Sequence, residues 1–254
     1  LSKKTRAIMI VHYAGLPVDM DPIIGLGYPI IEDAAHAICS KYKGIPCGNI
    51  SDIGIFSFDA VKNLTVGEGG GITSKFPELI ERAKTLRYCG IGKSGFDKAS
   101  DDAEISDRWW EYNISETFIK MLPTNLAASI GIKQLEKIDQ LQERRKEIWE
   151  KYNLAFKDSD IITPMNATEE KKHSYFTYCI RSKKRNELAK YLLKNEIYTT
   201  LRYHPLHMNK IFNSTNIKLI NTEILNNDAL SIPLHPRLSS KDVEYVIFQI
   251  KKNF

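Results

Sequence analysis

Little in this 254-residue chain points to metal or disulfide chemistry. The four cysteines, Cys39, Cys47, Cys89 and Cys179, form no C-x-x-C pair and no zinc spacing. Six histidines are scattered, and none falls in an H-E-x-x-H pattern. Reduced thiols without a metal are the expectation. Long apolar runs are lacking as well. The longest, such as Ala7–Val11, are strand-sized and mean hydropathy is −0.31, which excludes a membrane-spanning helix of about 20 residues. The opening Leu1-Ser2-Lys3-Lys4-Thr5-Arg6 runs straight into a strand-like stretch without a secretory signal pattern. A cytoplasmic protein is expected. A strong charge of one sign is absent too: 36 Lys and Arg are interleaved with 31 acids, for a net +5. The densest basic cluster, Arg181-Ser182-Lys183-Lys184-Arg185, reads as a solvated strand-to-helix turn, which argues against dedicated nucleic-acid binding. A phosphorylated small substrate suits the same charge. Low-complexity tracts are missing, and 43% of residues are hydrophobic, so the chain can bury a substantial core in one large domain or a large and a small one.

What is present is an alternation of apolar runs and helical patterns, the mark of an α/β protein. Ala7–Tyr13, Tyr28–Ile31, Asp52–Phe58 and, more weakly, Gly69–Ser74 read as strands. Pro77–Tyr88 has helical spacing, with Leu79, Ile80, Ala83 and Leu86 on one face. Residues 90–117 are irregular, with Gly90, Gly92, Gly95 and the pair Trp109-Trp110; loops of that length usually serve a function. One long helix is expected from Thr124 to Phe156, with Leu126, Ile130, Leu135, Ile138 and Leu141 along one side. After Pro164 the pattern changes to a strand at Phe176–Ile180, a helix at Asn186–Lys194 and a strand at Tyr198–Tyr203. A helix around Ile217–Asn226, a strand at Ala229–Pro233 and a terminal helix N-capped near Ser239 follow.

Three stretches carry candidate chemistry. In Pro29-Ile30-Ile31-Glu32-Asp33-Ala34-Ala35-His36-Ala37 two acids directly follow an apolar run, which puts Asp33 at the C-terminal edge of a strand, where open α/β sheets place ligands. The competing reading is a helix N-cap with a surface histidine. In Phe56-Ser57-Phe58-Asp59-Ala60-Val61-Lys62-Asn63-Leu64 a serine and a lysine follow another strand. Such a lysine is either a snorkelling surface residue or a desolvated, nucleophilic amine. Val66-Gly67-Glu68-Gly69-Gly70-Gly71 lacks the G-x-G-x-x-G spacing and reads as a tight turn. Gly90-Ile91-Gly92-Lys93-Ser94 imitates the end of a P-loop, but Arg87 stands where its first glycine belongs.

Taken in order, E-D-A-A-H-A (32–37) and S-F-D-A-V-K-N-L-T-V-G-E-G-G (57–70) resemble the signature of the DegT/DnrJ/StrS family of pyridoxal-phosphate sugar aminotransferases. The likeness continues through Pro17–Asp21, A-A-S-I-G-I-K-Q-L-E-K-I-D (127–139), His173-Ser174-Tyr175, Arg202-Tyr203-His204-Pro205-Leu206-His207 and Ser231-Ile232-Pro233-Leu234-His235-Pro236. The resemblance implies an α/β chain with the fold of type I pyridoxal-phosphate transferases. Its mixed-sheet large, cofactor-binding domain would span residues 1–157 without the N-terminal part that carries the family's phosphate loop and ring-stacking aromatic. A small C-terminal α+β domain would span residues 158–254.

The resemblance also implies roles. Lys62 matches the lysine that attaches pyridoxal 5′-phosphate and later shuttles a proton. Asp33 matches the acid on the pyridine nitrogen, His36 the residue beside the 3-hydroxyl, and Ser57 a hydroxyl that binds the phosphate. A lysine at position 62 sets the chain apart from the family's dehydratase branch, which has histidine there. Leu122 stands where the family often places Asn or Arg to reach the other subunit's cofactor, and Asn125, or Lys120, is the candidate replacement. The implied activity moves an amino group from an amino acid, typically glutamate, to a keto group of a nucleotide-linked sugar. The implied assembly is a homodimer, and the implied setting is cell-surface polysaccharide synthesis such as lipopolysaccharide and O-antigen. The alternative is a catalytically inactive, regulatory paralogue of the same fold. Tyr88, Trp109, Trp110, Arg202, Tyr203 and His204 are candidates for substrate contact that read equally well as packing or solvated residues.

Overall fold

The computed structural model describes residues 1–92, 110–212 and 217–253. Lys93, Ser94, Gly95 and Trp109, singled out above, lie outside the described residues. The strands are β1 (Ile8–Val11), β2 (Ile30–Asp33), β3 (Lys41–Tyr42), β4 (Ile45–Pro46), β5 (Ile53–Ser57), β6 (Gly70–Ser74), β7 (Lys171–Lys172), β8 (Tyr178–Arg181) and β9 (Ala229–Ile232). The helices are α1 (Met20–Ile24), α2 (Pro77–Leu86), α3 (Asn125–Leu135), α4 (Ile138–Phe156), α5 (Arg185–Lys194), α6 (Ile220–Asp228) and α7 (Ser240–Lys251). Among the described residues no helix is long and apolar enough to cross a membrane. The chain divides into two compact units, neither continuous in sequence.

The first unit comprises residues 1–11, 20–35 and 48–135. Its mixed sheet has the order β1-β2-β5-β6, with the first three strands parallel and β6 antiparallel to β5. Asp33, the last residue of β2, pairs with Val11 of β1 and Ile55 of β5. β2 alternates: Ile30 and Glu32 are buried on one face, and Ile31 and Asp33 are half-buried on the other. Gly54 of β5 is fixed by a close approach, since a Cβ there would collide with the backbone of Gly48. α2 starts with proline at its first position, as the helix geometry favours. Within this unit its apolar stripe is only partly covered: Ile80, Ala83 and Leu86 are half-buried and none of its residues is fully buried.

The second unit comprises residues 12–19, 36–47 and 136–254. Its core packs Ile148, Trp149, Tyr152 and Phe156 of α4 against the antiparallel pair β8–β9, with Leu188 and Leu192 of α5 and Val243, Val246 and Ile250 of α7. Those α4 residues fall at i, i+1, i+4 and i+8, so one helical face supplies its share of the core. Ser239 caps α7, and Asp242 returns the bond in a full capping box. A small sheet, β4-β3-β7, completes the unit.

Three expectations need correction. The single helix over 124–156 is two, broken at Glu136-Lys137. The apolar spacing runs on through the break, which holds neither proline nor glycine and coincides with the boundary between the two units. Tyr198–Tyr203 is not a strand: among the described residues its one backbone ladder contact is the isolated bridge of Thr200 to Ser231. The strand expected from Phe176 begins at Tyr178, because the Phe176 N–H donates to the Ala14 carbonyl instead.

Candidate functional site

β2 and β5 are parallel neighbours in the first unit; Asp33 stands opposite Ile55, and β5 runs two residues further to Ser57. Asp33 closes β2 and Ser57 closes β5, both at the C-terminal edge of parallel strands and both half-buried. Asp33 Oδ1 accepts the N–H of Ala35 at 3.0 Å, which leaves Oδ2 without a donor among the described residues. The Asp59 N–H donates to the Ser57 hydroxyl at 3.4 Å, so the Ser57 O–H remains available to an acceptor.

Lys62 lies in the loop that joins β5 to β6. Two bonds close the neck of that loop: Phe58 N–H to the Gly69 carbonyl at 2.8 Å and Val66 N–H to the Phe58 carbonyl at 2.9 Å. Inside it, Lys62 N–H donates to the Asp59 carbonyl at 3.0 Å, and the Asp59 carboxylate accepts the Val61 N–H at 3.1 Å. The aspartate thereby builds the turn that carries the lysine, a common use of Asp in turns. α3 rests on the same loop. Its Gly131 is buried against Val66, where a Cβ would lie 3.0 Å from Val66 Cγ1. Asn125 is the exposed first residue of that helix, and its carbonyl accepts the Ser129 hydroxyl at 2.8 Å.

The structure thus groups Asp33, Ser57, Lys62 and Asn125 in one unit. His36 belongs to the other. It is buried rather than on the surface, and no helix starts at Asp33, so the N-cap reading of that stretch is corrected. Its ring stacks on Phe176 with centroids 3.9 Å apart and planes 15° apart. The Ala14 N–H donates to Nδ1 at 3.4 Å, and the Tyr203 hydroxyl lies 3.3 Å from Nε2. With Nδ1 accepting, the neutral ring carries its proton on Nε2. Tyr13 packs edge-on against the same ring, and its hydroxyl donates to the Arg202 carbonyl at 2.6 Å. Burial pushes Tyr13 up to about 12, so it stays a donor.

Sequence reasoning attached no role to Phe176, Tyr13 or Glu32. Phe176 and Tyr13 are remote from His36 in the chain, and no local pattern signals their contact. Glu32 had a signal: it is a charged residue on the same face of β2 as Ile30, and a buried acid there must find donors.

A carboxylate with an unengaged oxygen, a free hydroxyl donor and a lysine in a pinned turn suit a cofactor that has a pyridine nitrogen, a phosphate and an aldehyde. The residues present fit pyridoxal 5′-phosphate.

Comparison with known proteins agrees. The description of the DegT/DnrJ/EryC1/StrS aminotransferase family matches residues 1–251. The chain is 32% identical to the dTDP-4-dehydro-2,3,6-trideoxy-D-glucose 4-aminotransferase of Saccharopolyspora spinosa, covering 99% of this chain and 66% of that one. It is also 32% identical to the spore coat polysaccharide biosynthesis protein SpsC of Bacillus subtilis (strain 168), over 99% of this chain and 67% of the relative. Among solved structures it resembles Spr1654 of Streptococcus pneumoniae in its PMP form, with 29% identity, a TM-score of 0.89 and coverage of 99% and 70%. The chain spans about two thirds of the length of the relatives it matches.

Proposed function

The chain belongs to the DegT/DnrJ/EryC1/StrS aminotransferase family, and we propose that it is a pyridoxal-phosphate-dependent aminotransferase that moves an amino group from an amino acid, glutamate in the first instance, to a keto group of a nucleotide-linked sugar. The observation that carries the reading is that Asp33 and Ser57 close the neighbouring parallel strands β2 and β5, with Lys62 in the pinned turn that follows. The relatives' names, a nucleotide-sugar 4-aminotransferase and a spore coat polysaccharide biosynthesis protein, support amino-sugar synthesis for polysaccharide; we extend this to lipopolysaccharide or O-antigen as the product class and to the cytoplasm as the location.

When bound, the cofactor supplies a ring that draws electrons from the donor's α-carbon. Asp33, as an anion, would hold the pyridine nitrogen protonated, and Ser57 would donate its hydroxyl to the phosphate. His36, whose Nε2 faces the Tyr203 hydroxyl, would lie beside the 3-hydroxyl, as the family resemblance implies. Lys62 Nζ would hold the cofactor by condensing with its aldehyde, with loss of water; once displaced by the amine of the donor, the freed Nζ would take the proton from the donor's α-carbon and return it on the other side of the transferred nitrogen. That is positioned acid–base catalysis by one amine.

We also propose a homodimer in which Asn125 approaches the partner's cofactor. Support comes from the apolar stretch before it: Phe118, Ile119, Met121 and Leu122 are all exposed. Sedimentation tests the dimer. The activity is tested by visible absorbance of the cofactor-loaded protein, which should change on adding L-glutamate. A spectrum unaltered by any amino donor would favour the inactive paralogue.

A further inference from the structure

The second unit contains, among the described residues, a half-buried cation that no anion answers. Among the described residues, four other arginines are buried or half-buried, and each has an acceptor. Arg144 donates to Glu147 and the Leu238 carbonyl, Arg145 to the Leu234 carbonyl, Arg181 to Asp228, and Arg185 to the Ala229 carbonyl. Arg6, Arg87 and Arg237 have none but are exposed to water. Arg202 is half-buried, and no carboxylate or carbonyl of the described residues accepts from its guanidinium.

The surroundings hold Arg202 in place without satisfying it. Its guanidinium lies over Phe176, 5.3 Å from the ring centroid, and Phe176 is the ring stacked on His36. Tyr13 holds the Arg202 carbonyl at 2.6 Å, and the next residue, Tyr203, reaches His36 Nε2 at 3.3 Å. The chain is therefore tied at the Arg202 carbonyl and again at the side chain that follows it. An aromatic face offsets part of a cation's desolvation but accepts none of its five N–H donors. A planar fork kept this way suits an anion with two coplanar oxygens.

We propose that Arg202 is the anion-binding residue of the substrate site, engaging the oxygens of a carboxylate or a diphosphate. The proposal rests on the aminotransferase reading, which brings both groups to the protein: a carboxylate on the amino donor and a diphosphate on the sugar nucleotide.

The two sources act in separate half-reactions, so one experiment distinguishes them. Wild type, Arg202→Gln and Arg202→Lys are loaded with pyridoxal 5′-phosphate. Each is assayed for the single-turnover absorbance change with L-glutamate, and for binding of UDP, dTDP and GDP by calorimetry. Losing a charge-assisted contact should weaken one of the two responses roughly ten- to hundred-fold in Arg202→Gln, with Arg202→Lys between it and wild type. A loss confined to the glutamate step identifies the carboxylate, and one confined to nucleotide binding identifies the diphosphate. Equal responses in wild type and Arg202→Gln overturn the proposal. So do equal losses with both probes, or a loaded wild type that answers neither. Failure of the aminotransferase reading is separately visible, as absence of a borohydride-fixed cofactor on Lys62.

Discussion

Ser51 donates twice to one oxygen of Glu32: its backbone N–H lies 2.7 Å and its hydroxyl 2.9 Å from Oε1. The Ile50 N–H donates to the same oxygen at 2.9 Å, and the Gly48 N–H to Oε2 at 2.7 Å. Glu32 is fully buried, so an acid in the sheet's interior organises the turn that leads into β5. Glu32→Ala strands several donors away from water and should cost about 3–5 kcal/mol. Glu32→Gln keeps the shape and should cost less. Denaturant unfolding of both variants measures the difference; a loss under about 1 kcal/mol in Glu32→Ala would mean that water replaces the carboxylate.

Lys62 should be the only residue to which borohydride fixes the cofactor, read by peptide mass. Lys62→Ala should lose that label, and amino transfer should fall by about 10³-fold or more, as expected when a positioned proton-transfer group is removed. Label on a different lysine would refute the assignment.

Asp33→Asn should fold normally, since only one of its oxygens is engaged, by Ala35. The neutral amide cannot hold the pyridine nitrogen protonated. A lost charge-assisted hydrogen bond accounts for about one to two factors of ten in rate, so a fall beyond about a hundredfold marks loss of the electron sink. A smaller fall would mean that Asp33 only orients the ring.

His173 makes stability depend on pH. Burial lowers it from 6.5 to about 4, and its Nδ1 accepts the Tyr175 N–H at 2.6 Å. The unfolded chain therefore binds a proton here more readily than the folded one. The contribution is complete above about pH 6.5 and is lost as pH falls toward 4, amounting to about 3 kcal/mol. His173→Gln should flatten that part of the stability profile. Parallel profiles for variant and wild type between pH 4 and 6.5 would refute it.

Order along the chain was enough for much of this protein. Strand residues such as Ile53–Ser57, the helix at Arg185–Lys194 and the Ser239 cap follow from apolar period and capping chemistry, which act over three or four residues. Asp33 could be placed at a strand edge because an acid directly after an apolar run has few other places to go. The motifs around Lys62 carried the family resemblance for the same reason: they are local. Three features depended on folding instead: the break at Glu136-Lys137, the burial of His36 under Phe176 and the open guanidinium of Arg202. In the second and third of these, residues 140 positions apart or 26 positions apart meet across one unit. Such contacts are set by how sheets and helices pack, which no short-range period encodes.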